Sequence, residues 1–158
     1  MIAFKSKKIN LGNNPIGFGF PSKKENLIID FSTAVLSFGK LNEMINKKIK
    51  IPKEAFVLKT KRSNQVYEIS KSQNYAALPF GDYKGASIAM LIEILSAVIG
   101  GGNFLKNTEI VKKNRFYGPS HFIIAIDPNI INKNAKLNIE KYIKELSQNK
   151  KLRIPGIK

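Results

Sequence analysis

The alternation of apolar and polar positions marks out most of the expected elements. Ile16-Gly17-Phe18-Gly19-Phe20 alternates large apolar residues with glycine. That pattern suits a short strand with one bare face, open to another backbone or a ligand. Leu27-Ile28-Ile29-Asp30-Phe31 is almost continuously apolar and reads as a fully buried strand. Ser32 and Thr33 then open a helix expected to run to about Lys48, with Val35, Leu36, Leu41, Met44 and Ile45 roughly at helical spacing. Gly39 inside it costs about 1 kcal/mol relative to Ala and reads as a mark of close packing.

Further along, Phe56-Val57-Leu58 and Val66-Tyr67 read as short strands around a polar turn near Ser63 and Asn64. Residues 78–81 read as a loop. Residues 85–99 form an apolar run that ends at Gly100-Gly101-Gly102, a helix stop. The run is shorter than the ~20 residues a bilayer needs. Glu93 inside it would cost roughly 2.5–3.5 kcal/mol at a membrane centre, so a buried core helix is expected. Residues 103–118 are polar and read as a loop. Phe122-Ile123-Ile124-Ala125-Ile126 reads as a second buried strand, with Asp127 and Pro128 as the turn behind it. Asn134 to Gln148 reads as a surface helix with Leu137, Tyr142 and Leu146 among its apolar positions. Strands and helices interleave, which predicts an α/β class.

Composition narrows the chemistry. The chain has 158 residues, one ordinary domain's worth. It has no cysteine, which excludes a disulfide framework, a zinc ribbon and a Cys nucleophile. A single histidine, His121, excludes a multi-His metal site, and no metal is expected. At a strand edge His121 reads as structural. No pair of carboxylates stands out for acid–base work. Residues 1–9 lack the apolar core of a secretory signal, so a cytoplasmic protein without a membrane segment is expected.

The net charge of +16 invites a nucleic-acid reading. The excess is spread along the chain without one dense block, and it comes from 24 Lys against 3 Arg, whereas base reading favours Arg. Joint enrichment in Lys, Ile and Asn fits an AT-rich coding bias, with lysines on solvated faces. A basic nucleic-acid-binding domain stays open as the lesser reading.

Two places are candidates for binding an anion. The first is the expected helix start after Asp30-Phe31-Ser32-Thr33, where free N–H groups and a positive dipole end would face a phosphate. Plain capping by these residues is the competing account. The second is Pro79-Phe80-Gly81-Asp82-Tyr83-Lys84-Gly85, where Gly85 would let a ligand approach the backbone beside the Lys84 charge. Ordinary loop chemistry competes there. Neither matches a Walker or Rossmann fingerprint.

Six segments in order then carry a family likeness. They are Gly12-Asn13-Asn14-Pro15 through Pro21; Ile29 to Ala34 with Phe38-Gly39-Lys40; Ile51-Pro52; Leu78 to Gly85 with Glu93-Ile94-Leu95-Ser96; His121 to Pro128; and Arg153-Ile154-Pro155-Gly156. Together they resemble the malate/L-lactate dehydrogenase-like family of NAD(P)-dependent oxidoreductases, over about residues 8–156. The resemblance implies a three-layer, mixed-sheet α/β cofactor domain of non-Rossmann type. It implies a dimeric enzyme that moves a hydride between NAD or NADP and a small 2-hydroxy or 2-keto acid. It implies that Asp30, Phe31, Ser32, Thr33, Lys84 and Gly85 contact the cofactor.

Departures from the family matter as much. Members are about twice this long, and their catalytic histidine lies upstream of Met1. No residue here is expected to act as that acid–base group, His121 included. Asn13 replaces the family's Thr, Asp82 its second Gly, and Ser32 its Ala. Residues 1–158 are thus expected to be one domain, the NAD(P)-binding half of a longer enzyme, incomplete at both ends. It would act as a homodimer or with a complementing chain. The alternative is a non-catalytic remnant or a subunit from a split gene.

Overall fold

The computed structural model describes residues 1, 11–52, 54–58, 75–105 and 120–157. The expected turn at Ser63 and Asn64, the strand at Val66 and Tyr67, and most of the polar loop 103–118 lie outside the described residues. The chain divides into two compact units. The first comprises Met1–Pro15 and Ser32–Phe122, the second Ile16–Phe31 and Ile123–Lys158.

Strands β1 (Pro15–Phe20) and β2 (Leu27–Ser32) pair with each other. β2 is a strand as expected but is not fully buried. Leu27 is buried and Ile29 partly so, while Ile28 and Phe31 are exposed. Period-2 alternation puts successive side chains on opposite faces, and only one face is covered. In the second unit that covered face packs Leu27 and Ile29 on Ile139, Ile143, Leu146, Ile154 and Ile157.

Helix α1 spans Phe38–Asn46, so the expected start at Ser32 and Thr33 is wrong. The N-cap is Ser37, whose Oγ accepts from the Lys40 N–H at 3.1 Å. The reason lies in where the upstream backbone bonds go. Val35 N donates to Leu78 O at 2.9 Å and Phe80 N donates to Thr33 O at 3.0 Å, with Ala34 and Pro79 forming an antiparallel bridge. Residues 33–35 are held as an extended ladder and are unavailable to a helix. Gly39 also departs from expectation, since a Cβ there would meet nothing within 4 Å. On the exposed side of α1, Lys40 and Lys47 both bond Glu43 and hold its carboxyl below the usual carboxylate range.

The core of the first unit gathers Leu41 and Met44 of α1 with Ile51, Ala55, Phe56, Ala77, Ala86 and Ala89. Phe56 and Leu41 are fully buried, and Phe38 meets Phe56 edge-on at 5.8 Å between ring centres. Strand β3 (Phe56–Leu58) pairs antiparallel with β4 (Tyr75–Ala77), which the apolar pattern did not show.

Helix α2 spans Tyr83–Glu93 and continues as a π-helical turn at Ile94–Val98. It is not a wholly buried helix. Gly85, Ala86, Ala89 and Glu93 are buried, while Met90, Leu91, Ile94, Val98 and Ile99 are exposed. None of the helices among the described residues is long and apolar enough to cross a membrane.

Residues 122–126 do not form the expected buried strand. They are irregular and exposed, Ile123 by 84%. A strand buried on both faces needs neighbours and covering layers, and nothing among the described residues provides them. Asp127 serves as an N-cap: its Oδ1 accepts from the Asn129 N–H at 2.9 Å and starts α3 (Pro128–Ile131). Helix α4 (Ala135–Ser147) lies where the periodicity placed it, burying Ile143. Leu137 and Tyr142 are exposed.

Candidate functional site

The candidate residues divide between the units. Ser32, Thr33, Lys84 and Gly85 belong to the first, Asp30 and Phe31 to the second. Asp30 and Phe31 lie on β2 and are exposed.

In the first unit, three backbone segments meet. Thr33 sits just past β2, fully buried, and its carbonyl accepts the Phe80 N–H. The Phe80 carbonyl in turn accepts the Gly85 N–H at 2.9 Å. Gly85 therefore joins α2 to the loop before it and lies against the extended segment at Thr33. A Cβ on Gly85 would stand 2.7 Å from Thr33 O and 2.6 Å from Phe80 O. Real Cβ atoms do not sit at such distances, so only glycine fits. The sequence reading gave Gly85 to an approaching ligand; the backbone that approaches it belongs to the chain itself.

The start of α2 differs from the expected anion mouth for a related reason. Lys84 N donates to Gly81 O at 3.2 Å, Gly85 N to Phe80 O and Ala86 N to Asp82 O at 3.3 Å. Those three amides are committed to the chain and do not face outward. Two groups at the junction do keep chemistry to offer. The Lys84 ammonium is exposed at the head of α2. The Thr33 hydroxyl is buried without a hydrogen-bond partner among the described residues, an arrangement that costs about 1–3 kcal/mol unless a partner arrives. Ser32 Oγ donates to Ala34 O at 3.3 Å and so serves the backbone.

Residues that sequence reasoning passed over also shape this junction. Asn13 and Asn14, read only as part of a family-like segment, reach Ala34 and α2 through their side chains. Asp82 precedes α2 with φ +54° and ψ −108° and makes no side-chain cap bond. Its place in a position where the family carries glycine was the available signal. Glu93 is buried as its setting in an apolar helix suggested. Its Oε1 accepts the Leu105 N–H at 2.6 Å, and its Oε2 has no hydrogen-bond partner among the described residues. His121 is exposed.

A ladder segment, a glycine with no room for a side chain and a helix start define an α/β unit built to hold one helix close against an extended strand segment. The comparisons narrow that class. The family model described as malate/L-lactate dehydrogenase matches residues 1–158. The malate/(S)-sulfolactate dehydrogenase of Methanothermus fervidus is 34% identical over 152 residues, covering 92% of this chain and 44% of the relative. The L-sulfolactate dehydrogenase of Methanocaldococcus jannaschii is 35% identical over 130 residues, 81% of this chain and 37% of the relative. Among solved structures, sulfolactate dehydrogenase from M. jannaschii superposes with a TM-score of 0.79 at 29% identity, over 100% of this chain and 45% of that one. The delta1-piperideine-2-carboxylate reductase from Pseudomonas syringae gives 0.76 at 26% identity, over 92% and 45%. The chain belongs to the malate/L-lactate dehydrogenase family, with its α/β fold. It spans less than half the length of these relatives.

Proposed function

We propose that this chain is the cofactor-binding part of an NAD(P)-dependent oxidoreductase acting on a small 2-hydroxy or 2-keto acid. The observation that carries the reading is the junction of Thr33 with Gly85. Two sequence segments far apart in the chain, each matched to the family's cofactor contacts, pack backbone to backbone there. Relatives named as sulfolactate and malate dehydrogenases support the substrate class, and one is named with NADP(+).

A dinucleotide is polyanionic, and the residues present fit it in part. Lys84 would meet a phosphate as an exposed cation, and Thr33 would give its orphan hydroxyl proton to an acceptor. Ser32 and Gly85 hold the surrounding backbone; Asp30 and Phe31 enter by family likeness. When bound, the nicotinamide supplies the hydride chemistry. This chain's residues bind and orient, and the acid–base group comes from elsewhere, because His121 is not in the position the family uses. A complementing chain would supply it; a homodimer would pair two such cofactor-binding parts.

Titration of the folded protein with NADH and with NADPH, followed by nicotinamide fluorescence, tests the proposal. Saturable binding that weakens about tenfold in Lys84→Ala is expected, the scale of one charge-assisted contact. Absence of binding to both by a folded sample sinks the cofactor assignment. Turnover of malate or sulfolactate by the chain alone would overturn the assignment of acid–base chemistry elsewhere.

A further inference from the structure

The pair Asn13 and Asn14 makes two side-chain bonds of opposite polarity. Asn13 Oδ1 accepts from the Ala34 N–H at 3.2 Å. Asn14 Nδ2 donates to the Ala89 carbonyl at 2.7 Å. Consecutive residues thus hold the extended segment with one hand and α2 with the other.

The geometry at Ala34 explains why a side chain is needed. The ladder bonds Val35 N to Leu78 O and Phe80 N to Thr33 O flank the Ala34 and Pro79 pair. In such a pair the two residues do not bond each other, so their backbone groups point away. The Ala34 N–H would otherwise be an unpaired buried donor. Asn13 satisfies it, and Ser32 Oγ satisfies the Ala34 carbonyl. At the other end, Ala89 lies four residues after Gly85, on the same buried face of α2. The Asn14 bond therefore fixes the helix face whose first turn meets Thr33.

We infer that Asn13 and Asn14 are positioning residues that set the register between the Thr33 and Ala34 segment and α2. They act through Thr33 and Lys84, and the effect on dinucleotide binding rests on the function proposed above. Asn13 stands where the family has threonine, so the amide on that side of the clamp is a property of this chain's own sequence.

Aspartate substitutions separate the two polarities. Asn13→Asp keeps an acceptor for Ala34 N–H. Asn14→Asp removes the donor and sets a carboxylate against the Ala89 carbonyl. In the 158-residue chain, Asn13→Ala, Asn14→Ala and Asn14→Asp are expected to weaken NADH binding about tenfold, the scale of one lost hydrogen bond, while Asn13→Asp stays within about twofold. Amide hydrogen exchange supplies a readout that needs no dinucleotide. Protection of the Ala34 and Phe80 amides should fall in Asn13→Ala and be restored in Asn13→Asp. Equal NADH affinity across all variants, well below their melting temperatures, would overturn the inference as a merely structural role. So would equal loss in Asn13→Asp and Asn13→Ala. If wild type binds no dinucleotide, the functional reading fails, and exchange at Ala34 and Phe80 still decides the clamp: unchanged protection overturns it.

Discussion

At Asp82 the backbone takes φ +54° and ψ −108°, directly after Gly81 at φ +54°. That combination lies outside the small left-handed region that Asn and Asp tolerate, and it is natural only for glycine. Asp82 gains no cap bond in return. Strain of this kind costs of order 1–3 kcal/mol and persists only when the surroundings over-determine it. The surroundings here are the Phe80 bonds on one side and the first turn of α2 on the other. Asp82→Gly is accordingly expected to raise stability by about 1 kcal/mol, read as a higher midpoint in urea at unchanged slope. A midpoint that falls would show that the carboxylate stabilises the helix start by more than the strain costs.

Among elements, α2 shows how a largely apolar helix can bury its small residues and one acid, Glu93, while its large apolar side chains stay exposed. Gly85, Ala86 and Ala89 recur on one face and let the backbone come within contact of Thr33 and Phe80, while the larger apolar side chains point outward. Replacing Gly85 with Ala puts a Cβ against two carbonyl oxygens that are themselves held in ladder and turn bonds. We expect Gly85→Ala to destabilise by about 1–3 kcal/mol, the overpacking range. Thermal unfolding monitored by circular dichroism checks this, and a melting temperature equal to wild type would refute the contact. The start of α1 carries a different lesson. Ser32, Thr33 and Ser37 are all good capping residues, and local pattern cannot rank them. The ladder bonds to the Leu78 carbonyl and from the Phe80 N–H, made with residues more than 40 positions away, exclude the first two and leave Ser37. Its signal was present in the sequence, a serine just before Phe38, but its competitors were silenced only by pairing.

At the scale of the whole molecule, the segment 122–126 is a run of apolar side chains left open to solvent among the described residues. Phe122, Ile123, Ile124 and Ile126 are each at least half exposed. Substitutions at exposed positions away from special features stay within about 0.5 kcal/mol. Ile124→Lys should therefore leave the unfolding midpoint of this chain unchanged within that margin, and should reduce concentration-dependent association by breaking an apolar patch. A loss of several kcal/mol would mean that the segment is buried in solution.

Some of this protein was decided by sequence alone. The absence of cysteine and the single histidine closed off disulfide, thiol and multi-His metal chemistry. The periodicity of residues 135–147 placed α4, because a helix follows from bonds within four residues. The alternation at residues 16–20 and the apolar run at 27–31 each placed a strand, and the structure paired them. Six segments in order indicated the family, and Glu93 in an apolar run indicated a buried acid. The tertiary structure decided what depends on distant partners. It moved the start of α1 to Ser37, left residues 122–126 exposed, and packed Gly85 against Thr33 with no room for a side chain. It also tied the Asn13 and Asn14 side chains to the Ala34 segment and to α2. The physical reason is common to all four. A backbone N–H or C=O must find a partner, and which partner it finds depends on segments that only folding brings within reach.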